Sequence, residues 1–422
     1  FNPIGNSSDV FTGNYDGDGY TISNLYIDRS STDYIGLFGF TDGADISNIG
    51  VENCVITGKD YVGGLIGNIN DSDISNSYST GSVNGGYSVG GLVGYNYSSS
   101  TVSVSYSSCS VSGEIQVGGL VGRNYLSSTI SNSYSTGDVT GEERVGGFIG
   151  NNESSNISNS YSTGDVTRSS GSDDIFGGFC GFSAIGTIEY CYSIGSVIYN
   201  GATDPTKKGF MGSDISSNTY ADNFFDSDAS NQSSDDVGAA TGLTTTQMQD
   251  IASFTDETNS WLSSAWDFVG TENDDARTDD YWGINYNGQN NGYPFLTWQD
   301  YDHVLTQPGL WTGTTSSDWH TASNWDDGQV PDESVNVTIP DTGNDPVISA
   351  AASCQNITIE NNGTLTINSS QTLNVTGNFT LNDGGDFTNN GTLKFSGTAC
   401  ELSDNRTAKS SLGDVTVKEV IF

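Results

Sequence analysis

The stretch "VGGLIGNINDSDISNSYSTGSV", residues Val62–Val83, returns with few changes as "VGGLVGRNYLSSTISNSYSTGDV" over Val117–Val139. Both copies keep the Gly-Gly pair, the run "ISNSYST" and the spacing between them. Self-similarity at a fixed period is typical of solenoid proteins, in which each unit buries its apolar face only by stacking on the next unit. This repeat therefore predicts the fold.

Two apolar columns give the period of the repeat, which is about 28 residues. The first column is the apolar residue between glycines, and the second begins the strand-like run. The first comprises Leu37, Leu65, Leu92, Leu120, Phe148, Phe179 and Phe210. The second comprises Ile22, Ile46, Ile74, Val102, Ile130, Ile157, Ile188 and Ile215, which predicts eight stacked coils.

The local pattern favours strands over helices. The run "ISNSYST" alternates with period two, and its Ser, Thr, Tyr and Val residues suit a pleated surface. Glycines recur at short intervals, which breaks helices and allows the corners of a coil. The chain is therefore predicted to be all-β, with a parallel β-helix of about 28-residue coils, an aromatic-rich cap with one short helix, and a second β-rich domain.

Stacking turns each column of the repeat into a ladder of side chains. The simplest assignment puts Ile, Asn and Tyr inside the coil and the intervening serines, such as Ser131, Ser133 and Ser135, outside. Interior amides could then bond from coil to coil, and tyrosine rings could pile up beside them. The predicted ladders comprise Asn24, Asn48, Asn76, Asn132 and Asn159, and Tyr78, Tyr106, Tyr134, Tyr161 and Tyr192.

The charge balance limits the partners. Acidic residues outnumber basic ones 52 to 12, for a formal net charge of −40. Binding to nucleic acid needs Lys and Arg for phosphate contacts, so this class is excluded and an anionic membrane surface is disfavoured. A strongly acidic surface suits solvation, divalent cations or a cationic partner. The sequence also has no apolar run long enough for a transmembrane helix.

Six aspartates are candidate calcium ligands. Neighbouring coils would bring like carboxylates within one strand spacing, where they raise a pKa or recruit a cation. The alternative is that they are solvated turn residues, because Asp and Gly dominate turns. Calcium is the only cofactor that the sequence suggests, and the residues concerned are Asp16, Asp18, Asp45, Asp73, Asp138 and Asp165.

The six cysteines form no CxxC pair, which argues against a zinc site. Cys54 and Cys109 lie two repeats apart and are expected to be too distant to bridge. Two other pairings remain open as disulfides, because sequence does not fix connectivity. They are Cys180–Cys191 and Cys354–Cys400.

The quoted repeat resembles the GLUG repeat of bacterial surface proteins, and "FTGNYDGDGYTISNLYI" resembles the segment that precedes such repeats. The resemblance extends over roughly residues 1–300. It implies a secreted or surface-displayed β-solenoid, often in large adhesins and sometimes beside peptidase domains. The copy "TVSVSYSSCSVSG" lacks the asparagine, and we expect it to bulge.

Three regions are predicted: a solenoid over 1–226, a cap over 227–302 and a second β-rich domain, solenoid or sandwich-like, over 303–422. Thr244 and Gln247 form a capping box for a short helix near 244–252. The second domain resembles β-rich repeats of exported Bacteroidota proteins, which use type IX secretion. The cap aromatics are expected to cover the strand edges at the end of the solenoid rather than to bind sugar. They include Trp261, Trp266, Trp282 and Trp298.

These features favour a non-enzymatic stalk or binding module of an extracellular, cell-surface adhesin. Its partners would be carbohydrate or protein on another cell or surface, or copies of itself. One alternative is a self-assembling filament subunit. Another is a carbohydrate-active β-helix enzyme that uses Asp138, Asp165 and Arg144. The two histidines, His303 and His320, belong to no HExxH motif.

Overall fold

The computed structural model describes residues 1–169, 175–199, 207–215, 217–268, 281–284, 289–299, 309–325, 329–397 and 400–406. The chain divides into two compact units, Phe1–Gln299 and Asp300–Phe422. Each unit contains a parallel β-solenoid. In the described part of the chain, no helix is long and apolar enough to cross a membrane. His303 and the strand-like "GDVTVKEVIF" lie outside the described residues.

The first solenoid has three parallel sheets that run along its length. The seven-stranded sheet, counted over the described residues, comprises Phe38–Asp42, Ile66–Asn70, Val93–Tyr97, Val121–Tyr125, Ile149–Glu153, Cys180–Ala184 and Met211–Ile215. The five-stranded sheet comprises Asp60–Gly63, Tyr87–Gly90, Ile115–Gly118, Glu143–Gly146 and Phe176–Gly177.

The third sheet is the largest, because most coils contribute more than one strand to it. Within the described ranges it has nineteen strands. They are Tyr15–Asp16, Thr21–Ser23, Tyr26–Asp28, Asp45–Ser47, Gly50–Thr57, Asp73–Ser75, Tyr78–Asn84, Thr101–Ser103, Tyr106–Ser107, Ser110–Ser112, Thr129–Ser135, Val139–Gly141, Asn156–Ser162, Val166–Arg168, Thr187–Ser193, Val197–Tyr199, Thr219–Ala221, Phe224–Asp226 and Thr241–Leu243.

The register confirms that residues one period apart are vertical neighbours. Ile46 pairs with Ile74, and the same column continues through Val102, Ile130, Ile157 and Ile188. The predicted first and last members of this column are wrong. Ile22 pairs instead with Val51. Ile215 is 54% exposed, and Tyr220 takes the position beside Ile188. The terminal coils have different lengths, which shifts their register, so Tyr15 rather than Ile22 pairs with Ile46.

The two apolar columns, without the misassigned Ile22 and Ile215, are buried and form the core. The glycine-flanked column ends in a stack of three rings, with centroids 4.7 Å apart between Phe148 and Phe179 and again between Phe179 and Phe210. Each fully buried side chain of this size contributes about 1.5–3 kcal/mol of transfer free energy. The core is thus built from rows, each one side chain wide.

The predicted assignment of inside and outside faces is wrong after the isoleucine column. Asn48, Asn76, Asn132 and Asn159 have φ between 45° and 55°, the left-handed region. One left-handed residue reverses the alternation of the strand, so the following serine points inward. Ser77 and Ser133 are therefore 1% and 0% exposed, whereas these asparagines lie outside the core.

The copy that lacks the asparagine does not bulge as predicted. Val104 takes the left-handed position with φ 48°, and its strands keep the register of the neighbouring coils. A β-branched residue is strained there, and the coils above and below hold it in place. The irregularity in this sheet falls elsewhere, between Ser79 and Gly81.

The cysteines also differ from prediction. The Sγ atoms of Cys54 and Cys109 lie 4.0 Å apart, although the residues are two coils apart. Gly81, which has no side chain, occupies the coil between them and pairs with Cys54. All six cysteines are free thiols, including those of the two pairings that the sequence left open, Cys180–Cys191 and Cys354–Cys400.

The cap of the first unit begins after the last parallel strand. The capping box of Thr244 and Gln247 is confirmed, but the predicted helix is two separate turns, α1 (Thr245–Met248) and α2 (Ala252–Thr255). Two short antiparallel strands, Trp282–Gly283 and Phe295–Leu296, follow. Two 3₁₀ turns lie at Gln289–Gly292 and Thr297–Gln299.

The second unit is a smaller parallel solenoid rather than a sandwich. Its three sheets, over the residues described, comprise Val337–Ile339, Ile357–Ile359, Phe379–Leu381 and Leu402–Asp404; Val347–Ile348, Thr364–Ile367 and Asp386–Asn389; and Ala352–Cys354, Thr372–Val375 and Thr392–Phe395. Trp311, Trp319 and Trp325 form an edge-to-face cluster in its core, near a 3₁₀ turn at Ala322–Asn324.

The second glycine of each Gly-Gly pair faces an inward serine across a narrow interior. A Cβ at Gly91 would lie 2.1 Å from Ser107 Oγ and 2.2 Å from the carbonyl oxygen of Gly119. These distances are well inside van der Waals contact, and one of the two atoms belongs to the backbone. The cross-section at this corner therefore admits only glycine.

We expect Gly91→Ala to lower the free energy of unfolding by about 2 kcal/mol or more, because overpacking displaces the backbone of the next coil. Chemical denaturation of the purified chain measures this change. The matched control is Gly13→Ala, whose Cβ would meet only the flexible Phe11 ring at 3.3 Å. Equal stability of the two variants would contradict a closely packed corner.

Candidate functional site

Two inward serine rows tie the coils of the first solenoid together. In the first row, the amide of Ser77 donates to Ser105 Oγ at 3.2 Å, and the amide of Ser105 donates to Ser133 Oγ at 3.3 Å. Each hydroxyl also donates to the carbonyl two residues earlier, as Ser133 Oγ does to Ser131 at 2.7 Å. Every hydroxyl is thus both donor and acceptor.

The second serine row crosses the interior to the Gly-Gly corner. Ser79 Oγ donates to the carbonyl oxygen of Gly91 at 2.7 Å, and Ser135 Oγ donates to that of Gly147 at the same distance. The Gly91 carbonyl also accepts the amide of Gly64 at 2.9 Å, so the serine hydroxyl finds its own partner by adding a second hydrogen bond to a buried carbonyl. At this corner of the interior, serine and glycine therefore take the positions that large apolar side chains occupy in an ordinary core.

A ladder of asparagine amides does run from coil to coil, but at positions that the sequence analysis missed. Asn96 Nδ2 donates to Asn124 Oδ1 at 2.7 Å, and Asn124 Nδ2 donates to Asn152 Oδ1 at 2.9 Å. All three side chains are buried. The signal was an asparagine two residues after the glycine that follows each Gly-Gly pair, in "VGYN", "VGRN" and "IGNN".

The predicted tyrosine ladder is confirmed as a stack of rings. Successive centroids from Tyr78 to Tyr192 are 4.8, 4.8, 5.0 and 4.9 Å apart, and the rings are within 4° of parallel. The rings stand outside the serine rows, and Tyr161 and Tyr192 are buried under the cap. At the other end, Tyr78 Oη donates to Glu52 at 2.7 Å.

The cap aromatics fold back along this tyrosine ladder. Trp298 Nε1 donates to the carbonyl oxygen of Asn132 at 2.9 Å, and its ring lies 5.6 Å from Tyr134. Trp282 is buried beside Tyr192, with ring centroids 5.9 Å apart. Burial raises the pKa of Tyr192 well above its usual range, so this phenol stays neutral.

The other two cap tryptophans contact cap residues, and Trp266 also donates its Nε1 to the carbonyl oxygen of Asp222 at 3.0 Å. Trp266 is buried against Trp282 at 4.7 Å, and Trp261 is half-buried with Nε1 donating to the carbonyl oxygen of Ser253. None of the four predicted cap tryptophans is fully exposed. Their contacts show packing roles along the side of the solenoid.

The six predicted calcium ligands are all exposed. Asp45 and Asp73 are direct neighbours in the register, as predicted. Asp138 and Asp165 also lie on neighbouring coils, as predicted, and both accept backbone hydrogen bonds. Asp138 Oδ1 accepts from the amide of Asp165 at 3.0 Å, and Asp165 Oδ1 accepts from the amide of Ser196 at 2.8 Å. These two carboxylates therefore link successive coils.

The Asp16 carboxylate also accepts hydrogen bonds from neighbouring residues. Its Oδ1 accepts hydrogen bonds from Asn48 Nδ2 at 3.0 Å and from the amide of Asp18 at 2.9 Å, which lowers its pKa. Across the described ranges, no three His, Cys, Asp or Glu side chains converge on one point as a metal-binding group. Calcium binding stays a prediction.

A second group of tyrosines, on the outer surface of the seven-stranded and five-stranded sheets, was not identified from the sequence. We call it the outer tyrosine cluster. Its rings contact one another over four coils, with centroids between 5.0 and 6.1 Å apart. It comprises Tyr34, Tyr61, Tyr87, Tyr95, Tyr97 and Tyr125.

One arginine is fixed within the outer tyrosine cluster. The Arg123 guanidinium lies 5.3 Å from the Tyr95 ring centroid and 4.4 Å from that of Tyr125, and its Nη2 is 2.7 Å from Glu153 Oε2. Cation–π contact and the ion pair together fix this side chain. Arg123 is thus a rigid part of the surface.

Two family models match parts of the chain. The GLUG motif matches residues 60–84, 113–140 and 141–167, which confirms the repeat identified from sequence. A domain of unknown function, DUF8693, matches residues 310–395 in the second solenoid.

Two individual proteins are also similar to this chain. Halomucin from Haloquadratum walsbyi is 51% identical over 67 residues, which is 15% of this chain and 1% of halomucin, so the chain spans a very small part of that relative. A solved structure described as a candidate immunoglobulin A1 protease from Bacteroides ovatus is 21% identical with a TM-score of 0.42, covering 67% of this chain and 76% of that one.

We expect Ser133→Ala to lower the free energy of unfolding by about 1–3 kcal/mol, because the buried amide of Ser105 loses its acceptor. Ser131→Ala is the control: its side chain is half-buried on the outside, so it should change stability by less than about 0.5 kcal/mol. Denaturant melts of both variants measure the difference. A larger effect from Ser131 would contradict the inward serine row.

Proposed function

We propose that this chain is a non-enzymatic extracellular module, a rigid β-solenoid stalk that carries a binding surface toward carbohydrate or protein on another cell or surface. The supporting observation is the continuity of the serine row from coil to coil. Because each coil hydrogen-bonds to the next through side chains as well as backbone, bending one coil away from another breaks both sets of bonds. Such a structure suits holding a surface at a distance.

The surface chemistry supports an exterior location. A formal net charge of −40 keeps the chain solvated and repels like-charged copies. The GLUG repeats and the similarity to halomucin, a mucin by name, support placement outside the cell. Secretion by the type IX route stays part of the proposal for the second solenoid.

The side chains suggested as catalytic residues of a carbohydrate-active enzyme bond to or pack against other residues of the chain. The carboxylates of Asp138 and Asp165 accept backbone amides of the following coils. Arg144 belongs to a strand of the five-stranded sheet, and its guanidinium lies 4.9 Å from the Phe182 ring, with Nε 3.4 Å from Glu143. These contacts favour structural roles over acid–base roles.

Beads coated with the purified chain test the proposed function. We expect them to be retained on at least one surface of a panel of printed neutral and acidic glycans and intact bacterial cells, without release of reducing sugar ends. Beads coated with an unrelated protein of similar net charge are the control for non-specific retention.

Two outcomes would contradict this function. The first is retention no greater than that of the control beads on every surface. The second is release of reducing ends that Asp138→Asn or Asp165→Asn abolishes, which would establish the enzyme instead. Growth of the chain into long rods with concentration, seen by light scattering, would favour the filament alternative.

A further inference from the structure

The two tyrosine arrays of the first unit differ in what their hydroxyls contact. In the cap-covered ladder, Tyr161 Oη accepts from Gln299 Nε2 at 2.7 Å and Tyr192 Oη accepts from Asn290 Nδ2 at 2.6 Å. In the outer tyrosine cluster, the six hydroxyls make no hydrogen bond to any described residue, and none is fully buried. One array is covered by its own chain, and the other faces outward with its hydrogen-bonding groups unused.

The outer tyrosine cluster is nevertheless well ordered by its packing. Tyr34 and Tyr61 stack at 5.0 Å and 6° from parallel, and Tyr95 stacks on Tyr61 at 5.6 Å. Tyr97 and Tyr125 stack at 5.9 Å, beside the Arg123 guanidinium. A ligand would meet fixed ring edges and hydroxyls, so little conformational entropy would be lost on binding.

A buried acceptor without a hydrogen bond lies beside Tyr95 of the cluster. Asn68 stands between Phe40 and Tyr95 in the register of the seven-stranded sheet. Its side chain is 5% exposed, and its Oδ1 is buried and makes no hydrogen bond within the described ranges. An unpaired buried acceptor costs free energy, which a donor on a ligand recovers only if the neighbouring side chains move aside.

The charge of the surface points to an uncharged ligand. Burial raises the pKa of Tyr34, Tyr61 and Tyr95, so these phenols are neutral at physiological pH. The charge of Arg123 is balanced by Glu153 at 2.7 Å. Asp33 and Asp60, the carboxylates beside Tyr34 and Tyr61, share the ammonium of Lys59, which offsets part of their charge. A polyanion would be repelled by the chain as a whole.

We propose that the outer tyrosine cluster binds a neutral polysaccharide laid across successive coils. This inference rests on the proposed function and names the partner class and its site. Sugar hydroxyls, like phenols, are both donors and acceptors, so the sugar hydroxyls and the tyrosine hydroxyls can hydrogen-bond to each other. The apolar ring edges and the Arg123 stem cover the C–H faces of the sugar rings.

A peptide fits this surface less well. Extended peptides bind sheets by pairing with the backbone of an exposed edge strand. Here the backbone of the middle coils is already paired on both sides: Val93–Tyr97 bonds to the strands of the coils before and after it. The cluster offers side-chain hydroxyls and ring edges, which match a hydroxyl-rich ligand.

Affinity electrophoresis in native gels tests this proposal with galactomannan, hydroxyethyl cellulose, xylan or laminarin as neutral probes, and alginate as an anionic contrast. We expect at least one neutral probe to retard the chain, alginate not to, and the retardation to persist when salt rises from about 0.1 to about 1 M. The triple variant Tyr61→Phe, Tyr95→Phe and Tyr97→Phe should weaken binding at least tenfold. It keeps every ring, so the fold is retained.

The matched control is Tyr15→Phe, Tyr20→Phe and Tyr26→Phe, three tyrosines of the first coil outside the cluster, which should bind as the unmodified chain does. Absence of retardation by every neutral probe, or equal loss in both triple variants, would overturn the proposal. Bead retention on cells that disappears in the cluster variant without any polysaccharide binding would identify a protein partner instead. Retention that survives in the cluster variant would leave the adhesive function standing and remove this site.

Discussion

Hydrogen bonds between inward serines and the backbone amides of adjacent coils determine the cross-section of the first solenoid. A serine in the row from Ser77 to Ser160 accepts from one coil and donates to its own strand. In the second row, which includes Ser79 and Ser135, the hydroxyl is small, so the opposite wall approaches closely and only glycine fits at the corner. The Gly-Gly pairs, the thin core and the polar interior all follow from this one requirement to satisfy buried backbone groups.

The period and the strand character of this solenoid could be predicted from the sequence, because residues that recur at a fixed period become vertical neighbours when the coils stack. The buried isoleucine column and the tyrosine stack from Tyr78 to Tyr192 are confirmed in this way. The direction of the serines could not be predicted by strict alternation, since a left-handed residue at Asn132 reverses it. Asparagine tolerates that conformation better than most residues, so a repeated Asn within a strand pattern was the available signal.

The outer tyrosine cluster was missed for a different reason. Its members are spread over several short columns: Tyr34 and Tyr61 are equivalent positions of successive coils, and Tyr97 pairs with Tyr125. Tyr87 and Tyr95 stand in two further columns, in the five-stranded and the seven-stranded sheet. A column search finds only residues that recur at one position, whereas this cluster depends on how the chain turns between sheets. The cap-covered ladder is regular and structural, and the irregular cluster carries the unused hydroxyls.

The central claim is that positions one repeat apart lie one strand spacing apart along the solenoid. Spin labels on the outward column Asp45, Asp73 and Thr101, each paired with a label at Thr219, test it by pulsed dipolar spectroscopy in a chain with Cys400→Ser. Because these residues are six, five and four coils from Thr219, the backbone separations should be about 29, 24 and 19 Å, or about 4.8 Å per coil. Separations that do not decrease by a constant step with coil number would contradict the stacked solenoid and the surfaces built on it.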